Sequence, residues 1–569
     1  MKKLLFVLFL LNIIPALLKA QENNNAHITG NFQVDMQTYR KDTLIGADEV
    51  PEKLLLNSYA NINYVKNNFS AGFRYEGYFN TLQGYDSKND GYGIPYKYAS
   101  YTLDGFEVTV GNFYEQFSSG LTFRTYEDKN IGYDNAMEGI RIKFSILKGF
   151  YLKGIIGKQR YAFSKDAKGF SYVNNKGLIR GLDAEISLNE MFAKFTDSKT
   201  QLQIGGSFVS KYQPKDIQYI TIEDSTYKLD MPENVAAFSG RFNLTRSKIG
   251  LSCEYAYKFN DPSADNGYIY KSGNGIILNA TYSTKGFGLY VSVKRVDNMS
   301  FRSDRTANLN NLNINYLPDI TKNHTYSFAA MYPYSTQPNG EIGFQVEVTY
   351  KIPKGSKVGG KYGTGISVNY SKANSIEKTQ INNNTAIGEK GTDGYKSDFF
   401  AIGDEIYYQD FNIEINRKLS KSFKFTFIYQ NLMYNNLVIQ GEYDKTGNKI
   451  INANVAIFDG TYKINDNNAV RLELQSLFTK DDMGNWAMAL IEYTISPNWF
   501  FTVSDQYNYG NLNKNLRTHY YNAAFGYVTG ATRVQIGYGK QKEGIVCVGG
   551  VCRAVPATNG VMISITSSF

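Results

Sequence analysis

Three cysteines, three histidines and one stretch of closely spaced cations are the residues whose types and spacing invite a chemical reading. Cys547 and Cys552 bracket Val-Gly-Gly-Val near the end of the chain. The glycine pair lets a loop turn tightly, so in an oxidising compartment the two thiols can meet as a disulfide. A metal pair is the other chemistry open to them. A structural zinc site needs further Cys or His ligands, and none lies nearby in sequence, so a structural disulfide is the expectation. Cys253 falls on the apolar side of an alternating segment and reads as a small hydrophobic residue. His27, His324 and His519 have no histidine partner at ligand spacing. The residues therefore point to no metal site, no cofactor and no catalytic triad, and an enzyme is not expected.

Cations gather between Gly111 and Arg160, as Arg124, Arg141, Lys143, Lys158 and Arg160. Facing the inside of a pore, they would form a cationic constriction of the kind that selects anions. The competing reading pairs them with Glu115, Glu127, Asp128, Asp134 and Glu138 in a packed interior, because both signs are interspersed. The acidic loops Asp86 to Gly91 and Asp261 to Asp265 resemble calcium loops only loosely, with Lys88 where an acid would be wanted. They read as solvated loop residues.

The elements that would position these groups are strands. Ile249, Leu251, Cys253, Tyr255, Tyr257 and Phe259 alternate with Gly250, Ser252, Glu254, Ala256 and Lys258. Val470, Leu472 and Leu474 alternate with Arg471, Glu473 and Gln475, and Ala71, Phe73 and Tyr75 with Gly72, Arg74 and Glu76. A period of two means a strand with two unlike faces. Such segments recur from about residue 28 onward and run to ~10–14 residues, longer than the ~5–6 of soluble strands. Short turn-rich joints such as Lys66-Asn67-Asn68, Lys285-Gly286 and Thr529-Gly530 alternate with long polar stretches such as 80–96, 213–232, 300–322 and 374–397.

Composition agrees. Tyr (46) and Phe (36) greatly outnumber Trp (2) and Pro (12) in a chain of negative mean hydropathy. Aromatic girdles around a polar lumen account for that mixture. After residue 20 no apolar run approaches the ~18 residues of a spanning helix, and only a closed barrel satisfies the backbone in lipid without helices. The net charge of +9 over 569 residues forms no basic block, which argues against a nucleic-acid partner. Residues 1–20 read as a signal peptide: Lys2 and Lys3, an apolar run from Leu4 to Leu18, and Ala20 as the cleavage residue. The expected fold is all-β: a single large antiparallel transmembrane barrel over 21–569, with roughly twenty to twenty-six strands, an even number. Long extracellular loops and short periplasmic turns are expected, in the outer membrane and in contact with its lipid.

Val561, Ile563 and Ile565 alternate up to a terminal Phe569, which resembles the signal read by the barrel assembly machinery. Three further stretches carry a family resemblance. They are Gly111 to Phe117 with Phe123 to Glu127, Tyr316 to Pro318 with Lys322 to Tyr326 and Tyr332-Pro333-Tyr334, and Cys547 to Arg553 with Pro556 and Gly560. Together they resemble an uncharacterised family of Bacteroidota outer-membrane barrels, a domain of unknown function. The resemblance implies the fold and location and carries no activity. A TonB-type receptor is not expected, because alternation begins about ten residues after the signal and leaves no room for a plug domain ahead of the first strand. A peptidoglycan anchor or an autotransporter is not expected either. Two functions stay open: a porin-like channel for polar solutes, lined by residues such as Arg74, Glu76, Glu254, Lys258, Arg471, Glu473 and Arg533, or a non-transporting interaction component with an occluded lumen.

Overall fold

A computed structural model describes residues 26–163, 172–215, 217–222, 224–307, 311–548 and 551–569. The signal-peptide reading of 1–20 lies outside them. Twenty-four antiparallel strands form one closed sheet, which places the count inside the expected range and makes it even. They run from 8 residues (Phe106–Phe113) to 17 (Ile402–Lys418). Consecutive strands pair throughout, and the first (Ala26–Gln37) pairs with the last (Thr558–Ser568), Val34 facing Ile565. Closure leaves no unpaired edge, which is the condition for β-structure in lipid.

The connections alternate strictly. At one rim most are tight, as at Asn67, whose φ of 52° is left-handed, and at Gly286 and Gly530, with φ of 79° and 55°. At the other rim most connections are longer, and 298–340 is the longest. Most of the alternating apolar residues face outward: Phe73, Ile140, Ile142, Tyr255, Phe344 and Phe525 are all exposed. Their partners on the inner face are buried, among them Arg74, Glu76, Glu254, Lys258 and Asp410. An apolar, aromatic outer band over a charged inner face is the pattern of a membrane-spanning barrel. Cys253 is on the outer face with a free thiol. Both chain ends of the sheet lie at the tight-turn rim, because Asn31 faces Ser568.

Phe569 completes the seam. Its N–H donates to the Gly30 carbonyl, and its carbonyl accepts from the Gly30 N–H, each at 2.9 Å. Its ring covers Gly30: a Cβ there would sit 2.4 Å from Cζ of Phe569. A side chain at position 30 would have to displace this ring. Gly30→Val is expected to weaken closure, and the temperature at which the folded band is lost on semi-native gels is expected to fall. An unchanged transition in Gly30→Val would sink this account of the seam.

Candidate functional site

The long connection 298–340 does not stay at the rim. It folds into the barrel, and the inner wall has the side chains to hold it. Lys211, Lys258 and Lys294, on the strands Thr200–Tyr212, Ile249–Lys258 and Phe287–Asp297, are almost fully buried. Their ammonium groups donate to the carbonyls of Arg302 (2.8 Å), Ser300 (2.7 Å) and Pro318 (2.6 Å). Lys211 also pairs with Asp261 at 2.6 Å, and Lys294 with Glu341 at 2.8 Å. A buried ammonium needs acceptors, and here each has a loop carbonyl, joined by Asp261 at Lys211 and by Thr336 and Glu341 at Lys294.

The same loop reaches the other side of the wall. The Gln159 side-chain amide donates to the Asn313 carbonyl at 2.6 Å, while the Phe328 N–H donates to Gln475 Oε1 at 2.9 Å. Gln159 and Gln475 belong to the seventh and nineteenth of the twenty-four strands, half-way round from each other. Between these anchors His324 Nε2 lies 2.6 Å from Asp410, and the hydroxyls of Tyr326 and Tyr332 donate to Asp459 (2.9 Å) and Asp482 (3.0 Å). Phe328, Tyr332 and Tyr334 pack on inward-facing Tyr408, Tyr434, Ile457, Leu477 and Trp486. The Phe328 and Trp486 rings are 6.1 Å apart, and those of Tyr334 and Tyr408 4.9 Å. This is a hydrophobic core inside the barrel.

The connection 114–136 folds inward beside it. Its Ser119 donates from backbone (3.0 Å) and hydroxyl (2.6 Å) to Glu254 on the wall. Phe117 and Phe123 are fully buried against Ile155, Ile179, Val209 and Phe301. The two loops bond to each other, Arg124 N–H to Ile314 carbonyl and Tyr316 N–H to Gly120 carbonyl, both at 2.9 Å. Gly120, with φ of 98°, brings its backbone against Tyr316, whose Cβ would lie 3.1 Å from an added Cβ.

The cations singled out above do not line an open ring. Arg160 is buried, Nη2 2.7 Å from Glu76 and Nη1 2.6 Å from Asp134. Arg74 shares both carboxylates. Arg141 bonds Glu107 at 2.6 Å and the Tyr114 carbonyl at 3.0 Å, and Lys143 pairs with Glu115 at 3.3 Å. Arg124 lies between the rings of Tyr126 and Tyr316, 4.3 and 4.0 Å from their centroids. Lys158 corrects the lumen assignment: it stands opposite Glu138 on the outer face shared with Ile140 and Ile156, and it is exposed. Lys158 and Arg160 have the same parity, yet a register shift near Asn174 lets Gln159 and Arg160 both turn inward. Cys547 and Cys552 stand directly opposite in a small hairpin, Gly544–Val548 with Val551–Val555; their side chains lie outside the described residues. Asp261, read as a solvated loop residue, is the buried partner of Lys211.

Above the in-folded loops, at the long-loop rim, a cavity of about 780 Å³ remains. Tyr59, Tyr78, Tyr85, Tyr126, Tyr133 and Tyr316 line it. Burial pushes the hydroxyls of Tyr85, Tyr126, Tyr133 and Tyr316 up, so they stay neutral. A second cavity of about 930 Å³ opens toward the tight-turn rim, among Lys322, Glu347, Lys351, Glu414 and Arg417.

The filled interior had one signal in the sequence. In the strand Ile450–Lys463, Ile451, Ala453, Val455 and Ile457 face inward and are buried, while Phe458 occupies the opposite face. Four successive inward apolar residues need apolar cover on the inner face, which a water-filled lumen does not give.

A family model described as "Family of unknown function (DUF6029)" matches residues 1–569, and the chain belongs to that family. No curated protein matches it. Among solved structures, the siderophore receptor PirA from Pseudomonas aeruginosa is similar at 9% identity and a TM-score of 0.39, covering 96% of this chain and 81% of that one. The P pilus usher (PapC) translocation pore aligns at 8% identity and 0.38, covering 95% and 99%. A BenF-like porin from Pseudomonas fluorescens Pf-5 aligns at 12% identity and 0.34, covering 80% and 98%.

The ion-pair cluster behind the mouth makes one clear prediction. Glu76 is shared by Arg74 and Arg160, so Glu76→Gln leaves two buried guanidiniums short of a counter-charge. The expected cost is about 3 kcal/mol of stability, read as a lower urea midpoint for unfolding from detergent or lipid. A midpoint equal to that of the parent protein would show the cluster to be energetically neutral.

Proposed function

We propose that this member of the family is an outer-membrane barrel whose lumen is closed by its own loops and which works by binding or docking at its surface, as a non-enzymatic component of the envelope. The observation that carries the reading is the loop 298–340 bonded to wall strands on opposite sides of the barrel. A general diffusion pore keeps a continuous polar path through its lumen. Here that path meets Phe117, Phe123, Phe328 and Trp486, all fully buried. Outer-membrane placement rests on the closed sheet, the exposed apolar outer band and the two unlike rims. Phe569 at the seam suits recognition by the barrel assembly machinery during biogenesis.

The porin-like alternative needs the loop to leave. Single-channel recording in a planar bilayer separates the two, with heat-shifted gel mobility as the folding control. The folded wild-type protein is expected to be silent. Replacing 304–336 by a short Gly-Ser linker is expected to produce discrete conductance steps. The triple variant Lys211→Met, Lys258→Met, Lys294→Met keeps the loop but removes its three ammonium anchors, and intermittent openings are expected. Frequent large steps from the wild-type protein would overturn the closed-lumen reading.

A further inference from the structure

We propose that the cavity between the long loops is a binding site for small organic anions, molecules that carry a carboxylate, sulfate or phosphate on a body small enough for about 780 Å³. The charge bookkeeping of its lining carries the inference. Four carboxylates border the cavity: Asp86, Glu127, Asp134 and Asp265. Each is held by a cation, Asp86 by Lys88 at 3.1 Å, Glu127 by Arg74 at 2.9 Å, Asp134 by Arg160 at 2.6 Å and Asp265 by Arg302 at 3.1 Å. Two lining cations, Arg553 and Lys129, have no carboxylate within 4.0 Å among the described residues. The Arg553 guanidinium lies over the Tyr85 ring, 4.1 Å from its centroid, and the Lys129 ammonium over Tyr59 at 4.5 Å. Nε and Nη1 of Arg553 are shielded from solvent and make no hydrogen bond.

An arginine with two shielded and unused donors is costly to maintain unless something accepts from them. Ring stacking orients the group and leaves its edges free. Nε and Nη1 belong to different edges, each completed by Nη2, and either edge matches the paired oxygens of a carboxylate, sulfate or phosphate, which a guanidinium binds through two parallel hydrogen bonds. The neutral tyrosine hydroxyls offer further donors, and their ring faces suit the body of a bound molecule. Arg124, clamped by Tyr126 and Tyr316, adds positive potential beneath the cavity. The stretches that carry the family resemblance meet here: Tyr126 and Glu127 from the first, Tyr316 and Leu317 from the second, Arg553 from the third.

This inference goes beyond the closed-lumen reading and is tested apart from it, because it is read by binding and not by conductance. Isothermal titration of the full chain in zwitterionic detergent would use inorganic phosphate, sulfate, glucuronate and benzoate, with glucose as the neutral control. The expected result is that at least one anion binds, that glucose does not, and that binding weakens as salt is added. Arg553→Gln and Lys129→Gln are each expected to lower affinity about tenfold or more. Arg533→Gln, which removes a cation at the opposite rim, is expected to leave it unchanged. Gel mobility confirms that each variant is folded. The proposal is overturned if none of the four anions binds with Kd below about 10 mM, or if binding is the same in both cavity variants as in the parent.

Discussion

Closing a sheet of twenty-four strands creates a lumen wider than its own inward side chains can fill. Either water or chain must occupy it, and that choice governs the inner wall. A wet lumen tolerates free charges and rejects apolar surface. A filled lumen needs the reverse: apolar contact where it can be had, and a partner for every charge. The inner wall here follows the second rule. Lys211, Lys258 and Lys294 end on loop carbonyls, Glu254 on Ser119, Asp410 on His324, and the remaining space holds Phe117, Phe123, Phe328, Tyr334 and Trp486. The wall and the two in-folded connections are therefore one packed unit, although they are far apart in the chain.

That unit divides the molecule. On the long-loop side lies a tyrosine-lined cavity; on the tight-turn side lies a polar vestibule among Lys322, Glu347 and Glu414. In the former, the free charge belongs to Arg553 and Lys129. The latter mixes signs, and its Lys322 is paired with Glu414 at 3.2 Å. Two chambers of unlike electrostatics, separated by an apolar core, do not form one continuous polar path. A diffusion pore is served better by one continuous field along its length.

Which parts of this were legible from residue order follows from the range of the interactions. Strand identity is local, so the alternation of Ile249 to Phe259 correctly placed Tyr255 outward and Glu254 inward. Closure and an even strand number follow from strand identity together with the demand that lipid makes on the backbone. Parity fails where the ladder shifts: near Asn174 it turned Arg160 inward and left Lys158 outside. Partners separated by many residues are invisible to spacing. Arg160 pairs with Glu76, 84 positions away, and Ser119 with Glu254, 135 away. The stretch 300–322 read as a long polar loop because it is rich in Asn and Thr. Those residues are polar enough for solvent, yet they also satisfy the polar atoms of a barrel interior, as Asn315 does in donating to the carbonyls of Leu121 and Met299.

Whether such a loop can act as a gate is a question of magnitude. A gate must exchange between closed and open states that differ by only a few kcal/mol, since a shift from 1:99 to 99:1 takes about 5.5 kcal/mol. Withdrawing 298–340 would expose Ile320, Phe328, Tyr332 and Tyr334, each nearly or fully buried. At about 2 kcal/mol for each large apolar side chain, that alone amounts to roughly 8 kcal/mol. The bonds to Asp410, Asp459, Gln475 and Asp482 would be exchanged for water at small net cost. Loop entropy regained on release works in the opposite sense, but most of the connection would have to leave together, because its anchors lie on opposite walls. An effector that opened the lumen would need several kcal/mol of preference for the withdrawn state. The more economical account is that the interior is a permanent core and not a gate.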